Sequence, residues 1–292
     1  MIKKTIILAA FLLTAYFIFV AIVIPQRQVK QHQWQGNKIN AQNFIFNDSD
    51  TIKSVIVGSS LSARILTKEL SGFYNLSFAG QSIFDGLKIL SKKETIPKNV
   101  FIETNYLFRA EDPQFTASLF DSYPFYSQTY IPALRSGKEP LPMLISLLQD
   151  WKDKKENNKV ENKTTISQPS VQHTLFDKLI AYQITNYSQK PDSLAMKNAM
   201  VNLKNYVDIL RSKHVNVIFF EMPVNSHLCE LPLSQVPRQS IHKLFPQNTF
   251  SYIDQPDCTS YNTSDGVHLT NLESEKYTAY FQDKIACKFC KN

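Results

Sequence analysis

The spacing of apolar residues divides the chain into regions of different character. Across positions 5–25 no side chain is charged at neutral pH. As a helix that run reaches about 31 Å, which matches the hydrocarbon thickness of a bilayer. Positions 26–50 are polar, with six Gln, and read as a stem. From Thr51 onward two periods alternate. A β-branched run at 52–57 ends at Gly58, a second strand-like stretch at 73–78 stops at Gly80, and a third at 99–103 lies between Pro97 and Thr104. Helical spacing follows the first two, over 61–70 and 82–93. In the second half, Met196, Ala199, Leu203, Val207 and Leu210 recur on one helical face, which predicts a long amphipathic helix over 195–211. It feeds a β-prone run at 215–221, a last strand at 249–254 and a last helix at 271–285. Repeated strand, turn and helix builds a parallel sheet with helices on both faces. Two stretches break the rhythm. Residues 108–148 are aromatic and Pro-punctuated, and suit a lid or partner surface over the site, or plain packing. Residues 151–173 mix charges with almost no apolar side chains and predict a mobile, solvated insertion.

Composition narrows the class. With 292 residues, 43% hydrophobic and 12% aromatic, the chain can bury a substantial core, so a disordered protein is excluded. Seven glycines are too few for a collagen-like chain, and no internal repeat is visible. The apolar N-terminal run is longer than the core of a secretory signal, and it ends in Phe19-Val20-Ala21-Ile22-Val23-Ile24-Pro25 without a small-residue cleavage site. An uncleaved anchor is therefore the expectation. Lys3, Lys4 and the amino terminus precede it and, despite Arg27, Lys30 and Lys38 beyond it, predict an N-in orientation with the rest exported from the cytoplasm. The chain's basic balance, a formal charge of +7, then points to anionic lipid or acidic glycan rather than nucleic acid. All four cysteines lie in the last 64 residues. In an oxidising compartment they allow three pairings, of which Cys229 with Cys258 and Cys287 with Cys290 are preferred. A four-thiolate zinc site is the alternative, although only Cys287 and Cys290 have ligand-like spacing.

Scarce glycine marks the candidate chemistry. Gly58-Ser59-Ser60, Gly80-Gln81 and Asp265-Gly266-Val267-His268 each join glycine to polar residues. In a parallel sheet the carboxyl ends of the strands open onto one edge, where ligands bind. Ser60, Gly80 and Asn105 each follow an expected strand and would meet there. Ser60 sits at an expected strand-to-helix turn, near a helix's positive end, where a serine also serves as a plain cap. Thr270-Asn271-Leu272-Glu273 fits a capping box, starting the last helix at Asn271 and leaving His268 in the turn before it. Gly266 lets that turn close, so Asp265 reaches one imidazole nitrogen while the other faces outward. That is the base and orienter a serine nucleophile requires. The Gly80 N–H and the Asn105 amide would supply an oxyanion hole together with the Ser60 N–H. Ser59, Gln81 and Asn225, at the same edge, are candidate substrate contacts. There is no Walker, dinucleotide-binding or HExxH pattern, so neither a cofactor nor a metal is expected.

On these blocks the sequence resembles the SGNH (GDSL-like) hydrolase superfamily from Val55 to about Thr270. Gly58-Ser59-Ser60-Leu61-Ser62 corresponds to its first block, Asn75 to Gly80 to its second, Glu103-Thr104-Asn105 to its third and Asp265 to Thr270 to its last. Ser59 stands where the family has Asp, and Glu103 where it has Gly. The resemblance implies a three-layer, flavodoxin-like α/β/α domain in which Ser60 is the nucleophile, His268 and Asp265 complete a triad, and Gly80 and Asn105 are oxyanion donors. With a membrane anchor and a Gly-Ser-Ser block, the chain looks most like the branch that acylates cell-envelope polymers, such as the D-alanyl transfer protein and the alginate O-acetylation proteins. That implies O-acetyl transfer to an exported polysaccharide beside a multi-pass membrane-bound O-acyltransferase. An esterase, and a non-catalytic glycan-binding or scaffold subunit, are the competing expectations.

Overall fold

The computed structural model describes residues 2–23, 32–46, 51–157 and 171–289. The chain forms two compact units, Met1–Asn47 with Gln114–Ser167, and Asp48–Pro113 with Gln168–Asn292. In chain order, α1 (Ile2–Ile22) and α2 (Gln33–Ile45) precede β1 (Ser54–Gly58), β2 (Phe73–Ser77), α3 (Ile83–Lys92), β3 (Asn99–Glu103), α4 (Pro113–Phe120), α5 (Ser122–Tyr130) and α6 (Pro140–Asn157). There follow α7 (Val171–Tyr187), α8 (Ser193–Ser212), β4 (Asn216–Phe220), α9 (Ser226–Cys229), α10 (Pro232–Leu244), β5 (Ser251–Tyr252) and α11 (Asn271–Phe289).

The second unit holds a five-stranded sheet in the order β2-β1-β3-β4-β5, with every pairing parallel. Strands β1 and β3 lie inside it. All of β1 and all but the first residue of β3 are buried, which explains their continuous rather than alternating apolar pattern. On one face Phe281 of α11 packs against Phe101 and Phe220, with ring centroids 5.4 and 5.3 Å away. On the other, α3 lies over β1 and α8 over β4, and Phe245 of α10 packs on Phe219 at 4.8 Å. The three-layer α/β/α arrangement is thus the one the strand-turn-helix rhythm predicts. The chain leaves β1 for β2 on one side and resumes at β3 on the other. A doubly wound sheet has its ligand crevice at such a switch point, beyond the carboxyl ends of the strands.

Three local expectations are overturned. Residues 61–70 form two 3₁₀ turns, Ser62–Arg64 and Thr67–Glu69, instead of an α-helix. The Leu66 N–H, which an α-helix would return to Ser62 O, donates to Thr278 Oγ1 at 3.1 Å instead, and the Asn75 amide donates to Ser62 O at 2.8 Å and to Ile65 O at 3.2 Å. The supposed stem contains α2, whose buried face includes Asn37 and Gln42. That polar face is tolerated because it is bonded: Gln42 Nε2 donates to Gln128 Oε1 at 3.0 Å, and Gln42 Oε1 accepts from the Ser136 N–H at 2.8 Å. Finally, α6 continues to Asn157 and α7 starts at Val171, so both ends of the expected insertion are helical. Its remainder, 158–170, lies outside the described residues.

The first unit comprises α1, α2, α4, α5 and α6, so most of the 108–148 stretch, which suited a lid, a partner surface or plain packing, groups with the N-terminal helices from residue 114 onward. Trp34 of α2 meets Phe115 of α4 edge-on at 5.3 Å. Among the described residues, one stretch, Ile2–Val20, is long and apolar enough to cross a membrane. Side chains along it, such as Ile6, Leu8 and Phe11, are exposed, whereas Val20 is buried with Ala133 and Met143.

Candidate active site

Gly58 ends β1 and the chain turns sharply through Ser59 and Ser60. A buried carboxylate shapes that turn. Glu103, the last residue of β3, is fully buried. Its Oε2 accepts from the Ser59 N–H at 2.8 Å, the Ser62 N–H at 3.1 Å and the Ser62 hydroxyl at 2.5 Å, while its Oε1 accepts from the Ser59 hydroxyl at 2.7 Å. Four donors offset the cost of burying the charge. They also explain Gly58: a Cβ there would stand 2.5 Å from Glu103 Oε2 and clash with Ser62 Oγ. Ser59 is therefore turned into the core and fully buried. Its expected contact with substrate is corrected, because its hydroxyl is spent on Glu103. The segment after Ser60 is a 3₁₀ turn, so the expected α-helix does not begin there.

The same turn leaves Ser60 half-buried and facing the other way. Its Oγ is 2.8 Å from His268 Nε2, and His268 Nδ1 is 2.7 Å from Asp265 Oδ2. The two oxygens of Asp265 are thereby divided. Oδ1 accepts the backbone N–H groups of His268 at 2.8 Å and Val267 at 3.1 Å, leaving Oδ2 for the ring. Burial by itself raises the Asp265 pKa, but the hydrogen bonds from the ring and from the two backbone N–H groups, with the imidazole's charge, outweigh it and hold the carboxyl at about 2. An ionised acid on Nδ1 keeps the proton there, so Nε2 is free to accept from the Ser60 hydroxyl. His268 and Asp265 side chains retain 26% and 31% of their exposure, so the site is open to solvent.

The loop that carries this pair is closed on itself. Thr263 bridges Leu269 in antiparallel fashion, and Ser264 N–H donates to His268 O at 2.8 Å. Gly266 has φ +96°, and a Cβ on it would press on Ile180 of α7 at 3.0 Å. Asn225 N–H donates to Gly266 O at 2.9 Å, tying the loop to the end of β4. The capping box before α11 forms by half. Thr270 Oγ1 accepts from the Glu273 N–H at 3.3 Å, but the Glu273 carboxylate accepts from Asn262 Nδ2 at 3.0 Å instead of returning to Thr270.

The remaining predicted residues are at the same edge of the sheet. Gly80 is exposed with φ +74°. Among the described residues, the backbone N–H groups of Ser60 and Gly80 have no hydrogen-bond partner. Asn105 is clamped to Met222: its Oδ1 accepts the Met222 N–H at 2.8 Å and its Nδ2 donates to Met222 O at 2.9 Å. One Nδ2 proton remains for another acceptor. Gln81 donates to Asp112 Oδ2 at 3.3 Å, and Asn225 caps α9 through the His227 N–H at 3.1 Å. Both are half-buried, with structural bonds of their own.

A disulfide joins Cys229 to Cys258, clamping α9 to the segment after β5. Its formation withdraws two of the four thiolates that the zinc alternative required. The pairing of Cys287 with Cys290 lies outside the described residues. Beside the disulfide, Arg238 holds Glu221 through two parallel bonds of 2.8 and 2.7 Å.

The residue that sequence reasoning missed is Glu103. A carboxylate ending an otherwise apolar central strand was the available signal, since an acid buried in a parallel sheet must find several donors.

The sequence matches no protein-family profile and no curated protein. Among solved structures, a protein from Bacteroides fragilis NCTC 9343, provisionally named an acylhydrolase, aligns over 89% of this chain and 99% of its own. The TM-score is 0.42 at 13% identity. Similarity at that level speaks to neither substrate nor activity, so the chain's chemistry is to be read from its own hydrogen-bonded Ser60, His268 and Asp265.

Proposed function

We propose that this chain is a membrane-anchored serine enzyme that moves acyl groups, with acetyl as the group and an exported or cell-envelope polysaccharide as acceptor. One observation carries the reading: Ser60 Oγ, His268 and Asp265 form a continuous hydrogen-bonded line of 2.8 and 2.7 Å in a solvent-open position. In the proposed cycle His268 Nε2 takes the Ser60 proton as Oγ attacks the acyl carbonyl. Asp265 steadies the imidazolium. The tetrahedral oxyanion is received by the N–H groups of Ser60 and Gly80 and the free proton of Asn105, each donor contributing about 3–4 kcal/mol in comparable acyl-transfer sites. The leaving group departs with the His268 proton, giving an acyl-Ser60 ester. A glycan hydroxyl, deprotonated by the same imidazole, then attacks the ester carbonyl, the bond from Ser60 Oγ to the acyl carbon breaks, and Oγ leaves with the proton that His268 returns.

Transfer rather than hydrolysis depends on which acceptor reaches the acyl-enzyme. The glycan and the multi-pass O-acyltransferase partner rest on the sequence resemblance and on the apolar N-terminal helix. The Cys229–Cys258 disulfide favours placement outside the cytoplasm, where disulfides persist. Full-length chain in detergent, given an acyl ester donor with and without oligosaccharide, tests the reading. Labelling of Ser60 by a fluorophosphonate, acylated oligosaccharide as product, and loss of both in Ser60→Ala are expected. Ester cleavage with no product on the sugar would leave an esterase. Absence of labelling in folded protein would leave a non-catalytic subunit.

A further inference from the structure

The first unit carries an unusual outer surface. Three tyrosines on α5, Tyr123, Tyr126 and Tyr130, recur at helical spacing and are 63–86% exposed. On α6, Leu144, Leu148 and Trp151 form a second outward stripe, each at least 55% exposed. The stripe is distinct from the helix's buried face, which carries Met143, Ser146 and Asp150. Scattered apolar residues on a surface are ordinary, but two periodic stripes on adjacent helices of one small unit are not.

What the unit grips decides what covers them. Ala133 and Met143, with Ile131 and Leu147 beside them, pack on Tyr16, Phe17 and Val20 of α1. The Tyr16 hydroxyl donates to Lys138 O at 2.6 Å, and Lys138 Nζ reaches Val20 O at 3.4 Å. Tyr16 lies six residues before the end of α1, which is about 9 Å of helix. The loop between α5 and α6 therefore stands beside the last turns of the segment that is long and apolar enough to span a bilayer. A protein surface at that height lies where headgroups meet acyl chains, a depth of about 5–10 Å at which amphipathic helices seat their apolar faces. Tyrosine and tryptophan are the side chains that favour this layer, because each has an apolar ring and a polar atom to keep wet.

We propose that α5 and α6 form a collar seated in the interfacial layer of the membrane that α1 crosses, with Tyr123, Tyr126, Tyr130, Leu144, Leu148 and Trp151 in contact with lipid. The collar rests on α1 being a retained anchor. It makes a second attachment beside the span and holds the first unit flat against the bilayer.

Trp151 reports on this directly, since Trp34 is the other tryptophan of the chain. Full-length protein is reconstituted alone into vesicles of phosphatidylcholine and phosphatidylglycerol, some carrying chains brominated near the headgroup. The Trp151 signal is taken as the difference between wild type and Trp151→Phe, which leaves Trp34 packed on Phe115. A blue-shifted difference spectrum, quenched at least about twofold by shallow bromines and protected from aqueous iodide, is expected for a side chain at interfacial depth. Emission open to iodide and indifferent to bromine would overturn the collar and assign the stripe to a partner protein. Alkaline carbonate extraction separates the two premises. Chain that stays in the vesicles with an iodide-open Trp151 keeps its anchor and loses the collar, whereas chain released by carbonate loses both.

Discussion

Replacing Glu103 tests whether the nucleophile turn is built on its carboxylate. Glu103→Leu preserves bulk but removes the acceptor for four donors. The Ser62 hydroxyl keeps Ser77 Oγ at 2.9 Å, but Ser59 Oγ keeps only an accepted bond, from the Leu61 N–H at 3.2 Å. The Ser59 hydroxyl proton and the backbone N–H groups of Ser59 and Ser62 have no substitute. At about 1–3 kcal/mol for each of these three buried donors left unmade, the loss is about 3–9 kcal/mol. For a unit of this size that lowers the melting temperature by about 6–35 °C. Glu103→Gln behaves differently. With its oxygen at the Oε2 position it still accepts from three donors, and the Ser59 hydroxyl can turn to accept from the amide. Each bond weakens by about 1 kcal/mol, but the cost of burying a charge disappears, so the fold survives within about 2 kcal/mol. The turn then holds Ser60 less firmly, and a misplacement of about 1 Å slows chemistry by up to about 100-fold. Thermal unfolding and the rate of fluorophosphonate labelling are the two assays. A Leu variant that melts with wild type and labels at the wild-type rate would refute the reasoning.

Three other perturbations follow from the same geometry. Gly266→Ala forces a Cβ into a conformation at φ +96° against Ile180; a cost of about 1–3 kcal/mol and slower labelling of Ser60 are expected, and an unchanged rate would show that the loop does not aim His268. Asp265 has a folded pKa of about 2, below its ordinary 3.8, so its stabilisation is present above about pH 4 and lost as pH falls through 2. Urea denaturation of wild type and Asp265→Asn from pH 3 to 6 should show a gap that is constant at the upper end and narrows below pH 4; parallel curves would contradict the shift. Cys229 and Cys258 are 29 residues apart, and closing that loop stabilises by about 3–4 kcal/mol on a chain-entropy account. The double Ala variant should lower the denaturant midpoint accordingly, without altering the labelling rate of the protein that remains folded.

The strands of the sheet were legible because β1 and β3 are buried on both faces, and two-sided burial demands the unbroken Val, Ile and Phe runs seen in the sequence. Helix α8 was legible for the converse reason: one buried face of five residues, Met196 to Leu210, imprints a 3.6-residue period. Helix α2 was not, since its buried positions include Asn37 and Gln42, whose compatibility with burial is created by Gln128 and Ser136 about 90 residues away. The α-helix expected over 61–70 failed through the same kind of competition, with Thr278 taking the Leu66 N–H and Asn75 bonding the Ser62 and Ile65 carbonyls. Asp265 and His268 stand three residues apart and are joined by a turn, so their pairing followed from spacing and Gly266.

By itself, then, the amino-acid order determined those features whose cause is local: the apolar span, the strand and helix periods, and the acid-imidazole pair within one turn. The tertiary structure decided the rest. It brought Ser60 to His268 across 208 residues, bent Ser59 inward onto Glu103, clamped Asn105 to Met222 and laid residues 131–147 along the end of α1. Each of these depends on which strand end or helix face becomes a neighbour, and that is set by the packing of the whole unit rather than by any window of sequence.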